Sequence, residues 1–239
     1  MALMSDHVSK KFDAELEGLR SRVMQMGGLV ETQINHAIEA FLHGDTDGFD
    51  QVIADDEQVN FLEVSIDDDC THIIARRQPT AGDLRMVMAV IKIVTDLERI
   101  GDEAAKIARM GNQVYQRDNL LVPRLHEMRA MGDVAVRMLR DVLDAFVRLD
   151  PVAAARIVRE DETVDDNFRG YLRLLITYMM EDPRTISTAL DIVFVSKALE
   201  RIGDHVKNIA ENVIYIVKGK DVRHIGLDQL EREALSENN

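Results

Sequence analysis

The sequence predicts an all-α protein built as two tandem three-helix bundles, six long helices related by an internal pseudo-twofold duplication. Three observations lead to this prediction. Apolar residues recur at helical spacings of three and four along most of the chain. The 4 prolines and 13 glycines leave little room for loops, and one hexapeptide occurs twice, once in each half.

The first half is predicted to contain three helices with short connections. Apolar positions step by three or four through 12–41, after which a loop with two glycines interrupts the pattern. A second helix follows over roughly 49–76 and ends before a proline. Thr80, with Asp83 three residues later, is typical of a capping box and opens a third helix that continues to Tyr115.

The second half repeats this plan after a linker over 117–123. A fourth helix is predicted from the linker's proline to Arg148. Asp150 and Asp182 each precede a proline, and an N-cap acid followed by proline at the first helical position marks the starts of the fifth and sixth helices. Because the connections are short, we expect antiparallel neighbours in each bundle.

The duplication can be followed residue by residue. Leu-Glu-Arg-Ile-Gly-Asp at 97–102 recurs letter for letter at 199–204, an offset of 102, whereas Asp56 corresponds to Asp161 at an offset of 105. The difference of three residues is placed most simply in the loop around Pro79. We therefore expect Glu98 to superpose on Glu200 and Asp56 on Asp161. The predicted boundaries are 7–117 for the first repeat, 122–219 for the second and 220–239 for a C-terminal tail.

Composition limits the partners and the compartment. A formal net charge of −14 disfavours binding to nucleic acid or to an anionic membrane surface, since both require excess Lys and Arg. The longest apolar stretch, 86–94, is too short to span a bilayer, and the N-terminus lacks the apolar core of a signal peptide. With a single cysteine, Cys70, no internal disulfide forms. We expect a cytoplasmic protein without direct membrane insertion.

Carboxylates occupy positions where the helical pattern predicts a buried face. At 100° per residue, Glu98 falls in the middle of the apolar arc of the third helix, with Asp102 one turn further on. A buried carboxylate is costly unless it is paired or binds a cation. We therefore predict a metal site in each half, and the proposed ligands are Asp56, Glu98 and Asp102 in the first and Asp161, Asp165, Glu200 and Asp204 in the second. Because these ligands are all oxygen donors, Mg²⁺, Mn²⁺, Ca²⁺ or iron would suit them.

Alternatives remain open at this point. The acids could form ordinary ion pairs with Arg99 and Arg201, and the glycines of the hexapeptides could serve helix packing alone. Cys70 is expected in the core, and His205 on the surface.

No phosphate-binding loop, HExxH motif or nucleophile signature is present, so we predict that the protein is not an enzyme. A metal-storage protein or metalloenzyme of the ferritin-like type would need Glu-x-x-His pairs, and a helical adaptor without metal is the third class.

The sequence resembles the PhoU family, the accessory and regulatory proteins of bacterial phosphate-specific transport. The segments that carry the resemblance are both hexapeptides, Arg-Arg-Gln-Pro-Thr-Ala-Gly-Asp-Leu-Arg at 76–85, Arg-Glu-Asp-Glu-Thr-Val-Asp at 159–165, Tyr-Met-Met-Glu-Asp-Pro-Arg-Thr-Ile at 178–186 and Val-Lys-Gly-Lys-Asp-Val-Arg-His at 217–224. The resemblance implies two three-helix bundles and a homodimer.

The resemblance also implies a role. Such proteins restrain phosphate-starvation signalling when phosphate is plentiful and limit phosphate uptake, and their partners are the ATPase subunit of the phosphate ABC transporter and a sensor histidine kinase. Family members hold multinuclear metal clusters at motifs that map onto Glu98 with Asp102 and onto Glu200 with Asp204.

The two predicted sites are not expected to bind metal equally. Lys106 and Arg109 follow the first motif, where Asn208 and Glu211 follow the second. Because two cations near the first site should weaken its affinity for a metal, tighter binding is expected at the second site.

Overall fold

The computed structural model describes residues 2–116 and 125–236, with side chains from Lys10 in the first segment and from His126 in the second. Within these ranges the regular secondary structure is helical and contains no strand, which confirms the all-α prediction. The predicted linker 117–123, the predicted start of the fourth helix and residues 237–239 lie outside the described residues.

Three long helices form the first bundle: α1 (Ala2–His43), α2 (Thr46–Arg77) and α3 (Ala81–Tyr115). Asp45 caps α2 by accepting a hydrogen bond from the Gly48 amide at 3.1 Å. Thr80 is the N-cap of α3, as predicted, but its hydroxyl donates to the Asp83 carboxylate at 3.2 Å. It accepts no backbone N–H, so the capping-box prediction is wrong in that detail.

The second bundle contains α4 (Leu125–Arg148), α5 (Pro151–Glu181) and α6 (Ile186–Lys218). The carboxylate of Asp150 accepts hydrogen bonds from the backbone amides of the second and third residues of α5, at 3.0 and 2.9 Å, which confirms it as an N-cap. Asp182 instead caps a 3₁₀ turn, Pro183–Thr185, and α6 begins only after that turn.

The helix ends also locate the length difference between the halves. At the offset of 105 the end of α2, Arg77, corresponds to Asp182, and at the offset of 102 the start of α3, Ala81, corresponds to Pro183. Gln78–Thr80 therefore has no counterpart in the second half. Gln78, at φ 49°, has the left-handed conformation that ends α2.

The two bundles join along α3 and α6, which pack against each other more extensively than any other helix pair in the described ranges. Contacts of α3 with α1 and α2, and of α6 with α4 and α5, complete the two bundles, and α1 also packs on α4. The buried apolar residues of both halves form one continuous core. α3 and α6 are therefore central, and both carry the repeated hexapeptide on a helix in the same position of its bundle, as predicted.

Close helix approach explains one glycine in particular. A Cβ atom at Gly111 of α3 would lie 2.4 Å from two ring atoms of Phe49, which is fully buried at the start of α2. A side chain at this position would force the helices apart, so Gly111 is required for the packing of α2 on α3.

The predicted tail contains a seventh helix that the sequence pattern does not indicate. α7 (Leu227–Leu235) packs on α5 and buries Leu230 and Ala234. An ion pair between Arg159 and Glu231, 2.6 Å long, fastens it to α5. None of the helices in the described ranges combines the length and the apolar character that a bilayer crossing requires.

Candidate metal centre

The first group of acids lies where α2 and α3 face each other. We call Asp56 and Glu63 of α2, with Glu98 and Asp102 of α3, the first cluster. Burial raises the pKa of Glu98, and the negative charges of Asp102, Glu63 and Asp56 raise it further. The pKa of Asp102, although this side chain is exposed, is also raised, by partial loss of hydration and then by the negative charge of Asp56. The acids predicted from the sequence thus come together, and Glu63 joins them.

Loss of hydration also raises the pKa of Glu63, with contributions from the charges of Asp67 and Asp102. The guanidinium of Arg99 opposes these effects at Glu63 and at Glu98 without forming an ion pair within 4.0 Å in the described ranges. The cluster therefore holds negative charges that repel one another at neutral pH.

Gly101 of α3 packs closely against the side chains of the first cluster. A Cβ atom at Gly101 would lie 3.1 Å from Gln33 Oε1 and 3.3 Å from Asp56 Oδ1. Gln33, 2% exposed, donates from Nε2 to Asp56 Oδ1 at 3.0 Å and to the Val52 carbonyl at 3.3 Å. Its Oε1 is buried without a hydrogen-bond partner in the described part of the protein. A buried acceptor without a donor is unusual and suggests a site for a cation or a water molecule.

The second cluster repeats this arrangement between α5 and α6. It comprises Asp161 and Asp165 of α5 with Glu200 and Asp204 of α6. A Cβ atom at Gly203 would lie 3.1 Å from Asp161 Oδ1, an oxygen that is itself buried without a hydrogen-bond partner. Equivalent glycines thus contact equivalent aspartates in the two halves, which agrees with the predicted correspondence of Asp56 with Asp161.

Lysine side chains distinguish the second cluster from the first. Lys207 Nζ donates to Asp161 Oδ2 at 3.0 Å, and Lys197 Nζ contacts both carboxylate oxygens of Glu200. The ammonium of Lys197 also lies 5.4 Å from the centre of the Phe168 ring.

The carboxyl groups of the second cluster respond to both burial and these cations. Burial raises the pKa of Asp161, which is 3% exposed, although the hydrogen bond from Lys207 opposes that effect. Loss of hydration and then the charge of Glu200 raise the pKa of Asp204, and Lys197 lowers it in part. A lysine therefore offsets part of the negative charge at each of these acids.

The prediction that the motif acids face the core is wrong for two of them. Asp102 and Asp204 are exposed and Glu98 is half-buried, whereas Glu200 is buried. Because α3 packs against α1, α2 and α6, its buried arc centres on the side of Leu97 and leaves Glu98 at the border. The single-helix projection identified the apolar arc but could not include the contact with the other half.

The surface position expected for His205 is also wrong. Its Nδ1 lies 3.0 Å from Asp96 Oδ1 across the junction of α3 and α6, and both residues are 6% exposed. The Asn208 amide donates to the same Asp96 oxygen at 3.1 Å. The sequence did carry one signal for this contact: His205 replaces the residue that the repeat predicts from Glu103. At this position the two halves differ, and the histidine contacts the opposite half.

An ion pair crosses the same junction. Arg201 Nε lies 2.8 Å from Glu103 Oε1, and Lys106 Nζ donates to Glu103 Oε2 at 3.0 Å. Glu103 is 7% exposed. Arg201 therefore joins the two halves and does not neutralise the acid that precedes it in the hexapeptide.

The fit to a metal differs between the clusters. As the side chains stand, no group of three or more His, Cys, Asp or Glu residues in the described ranges is arranged to hold a metal ion. The first cluster offers an all-oxygen donor set and, at Gln33, a buried acceptor without a donor. The second cluster has similar donors, but two of them are bound to ammonium groups.

Comparison with known proteins gives one family. The sequence profile of the PhoU domain matches residues 23–110 and 128–213, once in each bundle. The chain is 48% identical over 237 residues to the phosphate-specific transport system accessory protein PhoU homolog of Pseudomonas aeruginosa, covering 99% of this chain and 96% of that protein.

Two further relatives agree with this assignment. The phosphate-specific transport system accessory protein PhoU of Escherichia coli strain K12 is 47% identical over 229 residues, covering 96% of this chain and 94% of that one. The crystal structure of PhoU from Pseudomonas aeruginosa superposes with a TM-score of 0.84 at 47% identity, over 87% of this chain and all of that one. The fold, the duplicated acidic sites and these similarities lead to one conclusion: the chain belongs to the PhoU family.

Proposed function

We propose that this protein is a negative regulator of the phosphate-starvation response that acts by binding and performs no catalysis. The match of the PhoU domain to both halves, together with relatives of nearly equal length that are named accessory proteins of phosphate-specific transport, carries this proposal. In this role the protein restrains starvation signalling when phosphate is plentiful and limits phosphate uptake.

The proposed partners are the ATPase subunit of the phosphate ABC transporter and a phosphate sensor histidine kinase. Both would be met in the cytoplasm, where the protein would act as a homodimer. The net charge of −14 supports a protein partner over a nucleic acid, because nucleic-acid binding requires excess positive charge.

We also propose that a divalent cation or iron supports this binding. Asp56, Glu98 and Asp102, with Glu63 beside them, would hold the ion. Asp161, Asp165, Glu200 and Asp204 are the corresponding set in the second half, where lysines contact two of the acids. A bound cation supplies positive charge that offsets the mutual repulsion of these carboxylates. The acids themselves would then fix how α2 lies against α3 and α5 against α6, and with it the surfaces available to partners.

A deletion strain tests the regulatory role. Without the protein, phosphate-starvation genes should be expressed in phosphate-rich medium and phosphate or polyphosphate should accumulate. Expression of the wild-type chain should restore repression, and the purified protein should capture the ATPase subunit or the kinase in a pull-down. Continued repression in the deletion strain, together with no capture of either partner, would refute the assignment.

A thermal-shift titration tests the metal proposal separately. A cation that binds only the folded protein stabilises it by about 2.7 kcal/mol at 100 times its Kd, which would raise the Tm of a chain this long by roughly 5–10 °C. Mg²⁺ and Mn²⁺ should produce this shift in the wild type and not in a Glu98→Gln/Asp102→Asn variant. An unchanged Tm at millimolar metal, with no metal in protein purified without chelator, would favour plain ion pairing.

A further inference from the structure

The two acidic clusters carry corresponding acids but different cations. At the offset of 102, Lys197 corresponds to Thr95 and Lys207 to Ala105. The first half therefore has a hydroxyl and a methyl group where the second half has two ammonium groups. Since Asp56, Glu98 and Asp102 match Asp161, Glu200 and Asp204, the substitution changes the charge of the cluster and leaves these three carboxylates in place.

The lysines are bound directly to the second cluster. Lys207 lies 3.0 Å from Asp161 Oδ2, and Lys197 contacts Glu200. Arg169 lies 3.3 Å from Asp165, which leaves Asp204 as the one acid of the four without such a contact in the described ranges. No Lys or Arg in those ranges lies within 4.0 Å of a carboxylate of the first cluster.

We infer that Lys197 and Lys207 are internal counter-ions that exclude a divalent cation from the second cluster and leave the first cluster as the cation site. This inference rests on the metal binding proposed above. A divalent cation bound to Asp161 and Glu200 would sit about 2.0–2.6 Å from their oxygens. An ammonium group already lies against Asp161 Oδ2 and another against both carboxylate oxygens of Glu200. Repulsion between these groups and a divalent cation at such separations is strong in a partly dehydrated site.

The first cluster differs in charge, because no ammonium group contacts its carboxylates in the described ranges. Gln33 Oε1, which is buried without a donor beside Asp56, adds an uncharged oxygen. The sequence-based expectation of tighter binding at the second site counted Lys106 and Arg109 against the first. Lys106 instead donates to Glu103 at the junction of the two halves. Arg109 acts on Asp102 through its charge, without an ion pair within 4.0 Å in the described ranges.

A Mn²⁺ titration followed by electron paramagnetic resonance of the free ion tests the asymmetry on the whole protein. The Glu98→Gln/Asp102→Asn variant should lose Mn²⁺ binding, whereas Glu200→Gln/Asp204→Asn should bind as the wild type does. Wild-type binding that depends on Glu200 and Asp204 would overturn the inference.

A reciprocal exchange tests the cause. Thr95→Lys should weaken Mn²⁺ binding at the first cluster by about tenfold or more, because it adds a positive charge a few ångströms from the ion. Lys197→Thr combined with Lys207→Met should create binding at the second cluster. If neither change alters the Mn²⁺ stoichiometry or affinity, the lysines do not act as counter-ions.

A stability measurement without metal separates this inference from the proposed function. Lys207→Met should lower the Tm by about 5 °C, since it leaves Asp161 buried without its partner, and Asp161→Asn in the same chain should recover at least half of the loss. Lys220→Met, which removes the exposed ion pair with Glu233, is the matched control and should change the Tm little.

Absence of Mn²⁺ at both clusters would refute the proposed metal binding and the first cluster's role as the cation site. The counter-ion role is then decided by this stability cycle alone. Recovery in the double variant supports it, and a Lys207→Met variant as stable as the control overturns it.

Discussion

Replacing His205 tests the polar contact that joins the two halves. His205→Leu keeps much of the side-chain volume but removes the ring nitrogen that lies 3.0 Å from Asp96. Asp96 is 6% exposed and would retain only the hydrogen bond from Asn208, at 3.1 Å. The variant therefore leaves a buried carboxyl group short of a partner in the centre of the molecule.

The size of the expected stability loss follows from the burial of His205 and Asp96. Breaking a buried hydrogen-bonded pair by removing one partner costs roughly 3–5 kcal/mol, and the remaining bond from Asn208 places the expected loss near the lower value, about 3 kcal/mol. For a chain of this length, about 3 kcal/mol corresponds to a Tm lower by roughly 6–12 °C. Asp96→Ala introduces the residue found at the equivalent position, Ala198, and should cost less because no carboxyl group is left behind.

Thermal and urea unfolding of the two single variants and the double variant measure the coupling. The loss of stability in the double variant should be about 2 kcal/mol smaller than the sum of the two single losses. Each single change leaves the other side chain buried without its partner, whereas the double change removes both. His72→Leu on the exposed surface of α2 is the control and should stay within about 0.5 kcal/mol of the wild type. Additive losses, or a loss at His205 no larger than that of the control, would refute the reasoning.

Three further predictions concern packing, the thiol and pH. Gly111→Ala should be destabilising by about 1–3 kcal/mol in urea unfolding, because its Cβ would lie 2.4 Å from a buried phenylalanine ring. Gly18→Ala, with open space around it, should instead be stabilising by about 1 kcal/mol. Burial raises the pKa of the Cys70 thiol to about 12, so a thiol reagent should label the native protein about a thousandfold more slowly than the unfolded chain at pH 8. The pKa values of Glu98 and Asp102 are raised above 4.5 and 3.8, so both carboxyls bind protons more tightly in the folded protein. Their contribution to stability is present below those ordinary values and is lost as the pH rises through the raised ones. In chelator, the Tm should therefore gain from these groups between neutral pH and about pH 4.5, and Glu98→Gln/Asp102→Asn should reduce that gain. A pH profile identical in the wild type and the variant would contradict this assignment.

Most of the fold could be predicted because in a long helix the apolar residues recur often enough to reveal the 3.6-residue period. The spacing of apolar residues located six helices, and Asp150 before a proline located the start of α5. α7 was missed because nine residues carry too little periodicity to separate a helix from a polar tail. Its position depends on a tertiary contact with α5, which the local sequence pattern does not indicate.

The candidate site was predictable in composition but not in environment. The duplicated hexapeptide identified Glu98 and Glu200, and the repeat offset added the paired acids Asp56 and Asp161. The partners of these acids could not be read from one helix at a time. Lys207 reaches Asp161 from a different helix, 46 residues away, and the burial of His205 depends on the opposite half.

The junction of α3 and α6 also records how far the two copies have diverged. In the observed register, position 96 of the first half faces position 205 of the second, and the repeat equates position 205 with position 103. A dimer of two first halves in that register would therefore set Asp96 against Glu103 twice, placing acid against acid inside a core. His205 in the second half instead sets a ring nitrogen opposite Asp96, so this polar contact requires two unlike halves in one chain.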